Sequence, residues 1–214
     1  MRFPIEKIYD GKYVRLYDIR YAEGKHYYNS SRRLEEDLVL AKTDSELKSL
    51  VPDAVSCVVI LEQNDVEPHL LLAQEYRYPV GRYVLSVPAG LIDAEDVEYG
   101  RDKAIRNTAI RELKEETGIT FKDGDELEVI SPMLFSSPGM TDENNAMVRL
   151  TIHDADLSEL TQDGSEGPEM FDGFELLTVS EAEKLLEQGC DNNGLYYAVY
   201  TWIALADFVR KYKK

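Results

Sequence analysis

Thiols are scarce in this chain: Cys57 and Cys190 are its two cysteines in 214 residues, and they stand far apart. With neither a CxxC pair nor a Cys/His spacing, a disulfide scaffold and a structural zinc centre are both disfavoured. Positive charge is also in short supply. Lys and Arg number 24 against 41 Asp and Glu, a formal charge of -17. Such a surface repels nucleic acid and anionic membranes, so neither is expected as a partner. No apolar run approaches membrane length, Met1-Arg2-Phe3-Pro4 opens no signal peptide, and the expected compartment is the cytoplasm. Internal repeats and low-complexity segments are missing as well.

What remains is a chain with 43% hydrophobic residues, enough for a sizeable core. Its length suits one globular domain with an extension. Residues 9–32 alternate aromatic and polar side chains around Glu23-Gly24-Lys25, the pattern of a small antiparallel sheet with a glycine turn. A polar break follows near Asp44–Asp53. Residues 55–61 and 69–74 then predict two strands, with Cys57 read as a buried thiol inside the first. Residues 83–87 continue the β pattern up to Pro88-Ala89-Gly90. A helix is predicted over about 102–117, stopped by Gly118. Strands are expected near 127–130, 146–152 and 174–179. Ser180 is the expected N-cap of a helix over 181–188, and a last helix is expected from about Leu195 to Lys211. Residues 154–172, acidic and glycine-containing, predict a mobile loop. This mixture argues for an α/β or α+β sandwich.

The predicted helix over 102–117 carries the chemistry. At about 100° per residue, Ile105, Ala109, Ile110 and Leu113 share one arc, and Glu112, Glu115 and Glu116 occupy the adjoining one. Like charges at this spacing destabilise a helix by about 0.2–0.5 kcal/mol per pair. The helix dipole adds a penalty of roughly 0.3–1 kcal/mol near the C-terminus. A solvated acidic face compensated by Arg111 and Lys114 is the bland alternative. A functional site is where two broken local rules are expected together. A hard divalent cation would resolve the conflict, and would also attract the anionic substrate that the net charge repels.

The run Arg111-Glu112-Leu113-Lys114-Glu115-Glu116-Thr117-Gly118-Ile119 resembles the second half of the Nudix box, G-x5-E-x7-R-E-U-x-E-E-x-G-U with U apolar. Pro88-Ala89-Gly90-Leu91-Ile92-Asp93, Gln74-Glu75-Tyr76-Arg77 and Ser137-Pro138-Gly139-Met140-Thr141-Asp142-Glu143 are similar to the ADP-ribose pyrophosphatase branch of that family. The first half of the box departs from the pattern. Gly90 and Arg111 stand 21 positions apart, seven more than the pattern sets, which places an insertion around residues 94–103. The first acidic position then falls on Glu95, Asp96 or Glu98, and Lys103 stands where a count back from Arg111 would put it. Ser86 is a second departure, since relatives commonly carry glutamate before Pro-Ala-Gly.

The resemblance implies a mixed-sheet α/β/α sandwich over residues 53–214, with an N-terminal antiparallel β extension over residues 1–52. It implies metal-dependent cleavage of the pyrophosphate in a nucleoside diphosphate linked to another group, foremost ADP-ribose. Mg2+ or Mn2+ would be held by Glu112 and Glu116, with Glu115 assisting and the Ala89 carbonyl contributing; Gly90 would meet the substrate. Arg111 would orient the carboxylates, and Arg77 would grip phosphate through its guanidinium fork, with Arg82 a weaker candidate. Glu143 is the first choice of general base, with Glu166, Glu169 and Asp172 as rivals. Tyr13, Tyr17, Tyr21, Tyr27 and Tyr28 offer an adenine clamp, and a homodimer joined through the extension is expected. A GDP-sugar or other dinucleotide hydrolase, and a catalytically degenerate ligand-binding regulator, are the alternatives.

Overall fold

The computed structural model describes residues 3–164 and 169–213. Its N-terminal part is a three-stranded antiparallel sheet, β1 (Ile5–Asp10), β2 (Arg15–Ala22) and β3 (Lys25–Ser31). Gly24 turns β2 into β3 with φ 62°, a conformation that glycine adopts without the Cβ penalty. The expected polar break near residue 44 contains a short helix, α1 (Asp44–Ser49). Its reciprocal cap joins Thr43 and Glu46, and this Thr-x-x-Glu signature outweighs the polar composition.

The main sheet has seven strands: β4 (Ala54–Gln63), β5 (Val66–Arg77), β6 (Arg82–Ser86), β7 (Ala89–Leu91), β8 (Glu126–Phe135), β9 (Asn144–His153) and β10 (Phe171–Leu177). The order β10-β5-β4-β9-β8 forms its frame, with β6 paired to β5 and β7 paired to β4. β4 and β9 run parallel, and the other pairs are antiparallel. Helices α2 (Ala94–Val97) and α3 (Arg101–Thr117) follow β7, and α4 (Val179–Gln188) and α5 (Val199–Tyr212) end the chain.

β4 is buried on both faces, which explains its near-continuous apolar run. Val55, Cys57, Val59 and Leu61 pack with Ile105, Ala109 and Leu113 of α3. Val58 and Ile60 pack with Ala182 and Leu185 of α4 and with Ala204, Leu205 and Phe208 of α5. The result is the expected α/β/α sandwich, each large apolar side chain contributing about 1.5–3 kcal/mol by burial. Ile105, Ala109 and Leu113 are fully buried, so α3 is oriented by the arc its sequence predicts. That orientation lays the adjoining glutamates against the end of the sheet.

The seven extra residues after Gly90 are folded, not looped out. α2 makes one turn, Gly100 breaks it at φ 83°, and α3 begins at Arg101. Asp96 accepts from Asn107 Nδ2 at 2.8 Å, which ties the insertion to α3. Lys103 lies 4.5 Å from the Tyr99 ring centroid, a cation–π contact remote in kind from a ligand role. The extension is joined to the sandwich through residues 139–142. Ser30 N donates to the Met140 carbonyl at 2.9 Å and Tyr27 Oη to the Gly139 carbonyl at 2.8 Å. Arg33 adds an ion pair to Asp53 at 2.7 Å. No helix among the described residues is long and apolar enough to cross a membrane.

Candidate active site

Three pieces of backbone meet at the C-terminal half of α3. β7 pairs with β4 through Ser56–Ala89, Val55–Gly90 and Ala54–Leu91, which carries Ala89 and Gly90 beside the helix. Glu116 lies inside this junction, 5% exposed, and its Oε2 accepts the Ala89 amide at 3.3 Å. The Ala89 N–H thus ties β7 to the helix carboxylate. Glu112 is 6% exposed and stands so close to Gly90 that a Cβ there would lie 1.8 Å from its Oε1. Glycine at position 90 is therefore required by close approach, with no appeal to backbone angles.

Arg111 organises the rim. Its Nη1 lies 2.7 Å from Glu112 and 2.9 Å from Glu115, and its Nη2 donates to the Leu91 carbonyl at 2.9 Å. Asp93 stands 3.3 Å away. One guanidinium thus fixes two helix carboxylates and the strand that carries Gly90. The i,i+4 pair to Glu115 and a contact to Glu112 are thus made by the same nitrogen.

The electrostatics are unbalanced. Burial pushes Glu112 up to about 7 from the ordinary 4.5, partly opposed by Arg111. Burial pushes Glu116 further, to about 9, and the charges of Glu112, Glu75 and Glu169 add to it. Removing carboxylates from water without a matching cation disfavours their charged form. Cys57 lies beneath them, fully buried, with its thiol raised by desolvation and by the same two glutamates. It packs as the hydrophobe the sequence predicts.

The loop after β9 crosses this region. Thr161 N donates to the Thr117 carbonyl at 3.1 Å, and a Cβ on Gly164 would come within 2.5 Å of the Glu115 carbonyl oxygen. At its far end the Met170 carbonyl accepts from Tyr76 N at 2.8 Å, seating Glu169 where its charge reaches Glu75, Glu112 and Glu116. Glu166 lies outside the described residues, and Asp172 is an exposed residue of β10. Glu143 is engaged elsewhere: Arg32 of the extension donates to it at 2.8 Å.

Arg77 pairs with Glu75 at 2.5 Å, half-exposed against a carboxylate that is 12% exposed. Arg82 stands across from Arg77 in the β5–β6 pairing. Of the five tyrosines considered for a clamp, Tyr17 is fully buried and donates to the Arg33 carbonyl at 2.9 Å. Tyr13, Tyr21, Tyr27 and Tyr28 are exposed. Glu75 is the site carboxylate that the sequence reading did not single out. Its signal was its place two residues from Arg77, on the same face of a strand.

The family model described as the NUDIX domain matches residues 51–198. The chain belongs to the Nudix family. The matched span takes in β4, Gly90, all of α3 and the loop that carries Glu169, so the described junction is the family's own segment. The ADP-ribose pyrophosphatase of Saccharomyces cerevisiae is 37% identical over 102 residues, 47% of this chain and 39% of that protein. This chain therefore spans well under half of the yeast relative's length. The ADP-ribose pyrophosphatase of Bacillus subtilis is 27% identical over 185 residues, 85% of this chain and 80% of that one. A solved structure described as an ADP compounds hydrolase shares the fold at a TM-score of 0.52 and 19% identity, covering 98% of this chain and 94% of that one.

Proposed function

We propose that this Nudix protein is a metal-dependent pyrophosphohydrolase acting on a nucleoside diphosphate linked to another group, with ADP-ribose cleaved to AMP and ribose 5-phosphate. The observation that carries the reading is the pair of buried carboxylates, Glu112 and Glu116, pressed against a glycine strand and served by one guanidinium and one amide. The ADP-ribose pyrophosphatases of yeast and Bacillus subtilis supply the substrate class.

The donors fit Mg2+ or Mn2+, since they are all hard oxygens and carry more negative charge than their neighbours offset. Among the described residues no three acidic, His or Cys side chains converge at ligating distance. Arg111 and the Ala89 amide hold the two carboxylates to separate partners. A divalent cation there would supply charge to offset the diphosphate and to make an attacking water more acidic. Glu112 and Glu116 would hold it, with Glu115 beside them on the shared guanidinium. Arg111 keeps the carboxylates and the Gly90 strand in register. Arg77 contributes a fork for the phosphate oxygens. The proton of the attacking water would go to a loop carboxylate, and we assign that role to Glu169 over Glu143, because the Met170–Tyr76 bond ties the Glu169 loop to β5 while Arg32 engages Glu143 elsewhere. The exposed tyrosines of the three-stranded sheet belong to the same reading, as the face through which two copies would pair.

The test is turnover of ADP-ribose with Mg2+, followed as release of AMP, on wild type and Glu116→Gln. Wild type is expected to turn over and the variant to lose activity. A panel of nucleoside diphosphate derivatives giving no metal-dependent product would overturn the activity. Equal rates for wild type and Glu116→Gln would overturn the site.

A further inference from the structure

β7 has three residues, and beyond its pairing with β4 its place is set by the bonds at its two ends. At one end Cys57 N donates to the Pro88 carbonyl at 2.8 Å. At the other Ile92 N donates to the Asp53 carbonyl at 3.0 Å. Gly90 lies between them, so close to Glu112 that not even a methyl group fits. Packed interiors transmit displacement, so a shift of this short strand is felt by that carboxylate.

Asp53 uses every polar group it has. Its N–H donates to the Asn144 carbonyl at 3.1 Å, and its Oδ2 accepts from Asn144 N at 3.0 Å. Its Oδ1 lies 2.7 Å from Arg33 Nη2, with the two side chains 14% and 10% exposed. Arg33 also donates from Nη1 to the Asp142 carbonyl at 3.3 Å, an oxygen that accepts Asn144 Nδ2 as well, at 3.1 Å. Asp142 Oδ2 in turn accepts Val39 N at 3.1 Å. One guanidinium, two residues past β3, thus joins the seat of the glycine strand to the start of β9 and to the extension.

We infer that Arg33 is a positioning residue for the Glu112 carboxylate, acting through Asp53 and the seat of β7, so that the extension controls the site of its own chain. The inference rests on the function proposed above. Without the guanidinium, the Asp53 carboxylate is left withdrawn from water and without its cation. It would turn toward solvent, give up Asn144 N, and carry with it the carbonyl that holds Ile92. β7 would keep its pairing with β4, while Gly90 and Glu112 lose their fit. A misplacement of about 1 Å costs on the order of 100-fold in rate, so a smaller shift sets the expected loss near tenfold. The buried pair Arg149–Asp207 is the natural control. Arg149 joins β9 to Asp207 of α5 and Glu128 of β8, away from β7.

The test compares wild type with Arg33→Met, Arg33→Lys and Asp207→Asn, at a temperature where urea unfolding shows each to be folded. Two readouts are taken: binding of Mn2+ alone, from the free-ion electron paramagnetic resonance signal, and turnover of ADP-ribose with Mg2+. Arg33→Met is expected to weaken Mn2+ binding about tenfold, as loss of a group supporting a metal site does. Its kcat is expected to fall about tenfold with KM changed less than about twofold. Arg33→Lys, which keeps the charge beside Asp53, is expected to recover most of both losses. Asp207→Asn is expected to lower stability and to keep wild-type Mn2+ affinity and kcat. A folded Arg33→Met with unchanged Mn2+ affinity and kcat would overturn the inference, as would equal losses in Asp207→Asn. A raised KM alone would also overturn it, since that marks a direct substrate contact. Should Arg33→Met fail to fold, Asp53→Asn, which keeps the backbone bonds and removes the charge, is read by the same criteria. Wild type that binds Mn2+ but hydrolyses no diphosphate would overturn the proposed function, and the Mn2+ titration would then decide this inference by itself.

Discussion

Glu116 should be worth more to the protein absent than present whenever no cation is bound. Its carboxyl is 5% exposed and raised from the ordinary 4.5 to about 9, first by desolvation and then by Glu112, Glu75 and Glu169. The folded state therefore holds this proton more tightly than the unfolded chain does. The associated stability is fully present below the unfolded value and is lost as pH rises towards the folded value. Each pH unit in that window corresponds to about 1.4 kcal/mol. At about pH 7 the wild type has lost on the order of 3 kcal/mol relative to acid, a large share of an ordinary folding free energy.

Glutamine keeps the shape and can accept the Ala89 amide, but it never ionises. Urea unfolding of wild type and Glu116→Gln in the presence of a chelator, at steps from about pH 5 to about pH 8, isolates the effect, because titrations not coupled to Glu116 cancel in the difference. The stability of the variant relative to wild type is expected to rise by about 1 kcal/mol per pH unit, slightly below the ideal slope because Glu112 titrates in the same window. Mg2+ should then stabilise wild type and leave the variant unchanged. A difference that stays flat with pH would refute the reasoning, as would a variant that weakens relative to wild type on going alkaline. The same substitution is expected to abolish turnover, so stability and activity would move in opposite directions.

Gly90→Ala would drive a methyl into the Glu112 carboxylate, 1.8 Å from Oε1, and should lower kcat about 100-fold or more while the circular dichroism spectrum is retained. Arg111→Lys keeps the charge but cannot span Glu112, Glu115 and the Leu91 carbonyl together; a loss of about tenfold in metal affinity or rate is expected, measured by Mg2+ titration of turnover. Asp207→Ala would leave Arg149, which is 6% exposed and bonded twice to Asp207 at 2.7 Å, with the exposed Glu128 in place of its buried partner, and should cost about 3 kcal/mol in urea unfolding.

Local patterns were legible and long-range ones were not. The arc of Ile105, Ala109 and Leu113 set the orientation of α3 because helical periodicity is a local property. The cap of α4 was read as Ser180, but it is Thr178, whose hydroxyl and Glu181 satisfy each other across three residues. The last helix starts at Val199 and not near Leu195, since Asp191 Oδ1 accepts from both Asn193 N and Leu195 N and holds the chain in a turn. β8 runs past Pro132 to Phe135 because it is an edge strand with register shifts after Val129 and Ser131, where a missing N–H is tolerated.

The same distinction explains which site residues the sequence disclosed. Glu112, Glu115 and Glu116 were visible because they break helix rules among themselves, before any tertiary contact forms. Glu75 and Glu169 break no local rule. One alternates on a strand, and the other sits in an acidic loop, as solvated carboxylates do. Their repulsion comes into being only when Tyr76 N takes the Met170 carbonyl and brings the loop alongside β5. The charge surplus around Glu116 is therefore built by folding, from three segments that are individually unremarkable. A site made this way stores a repulsion that a cation would relieve, as the function proposed above requires.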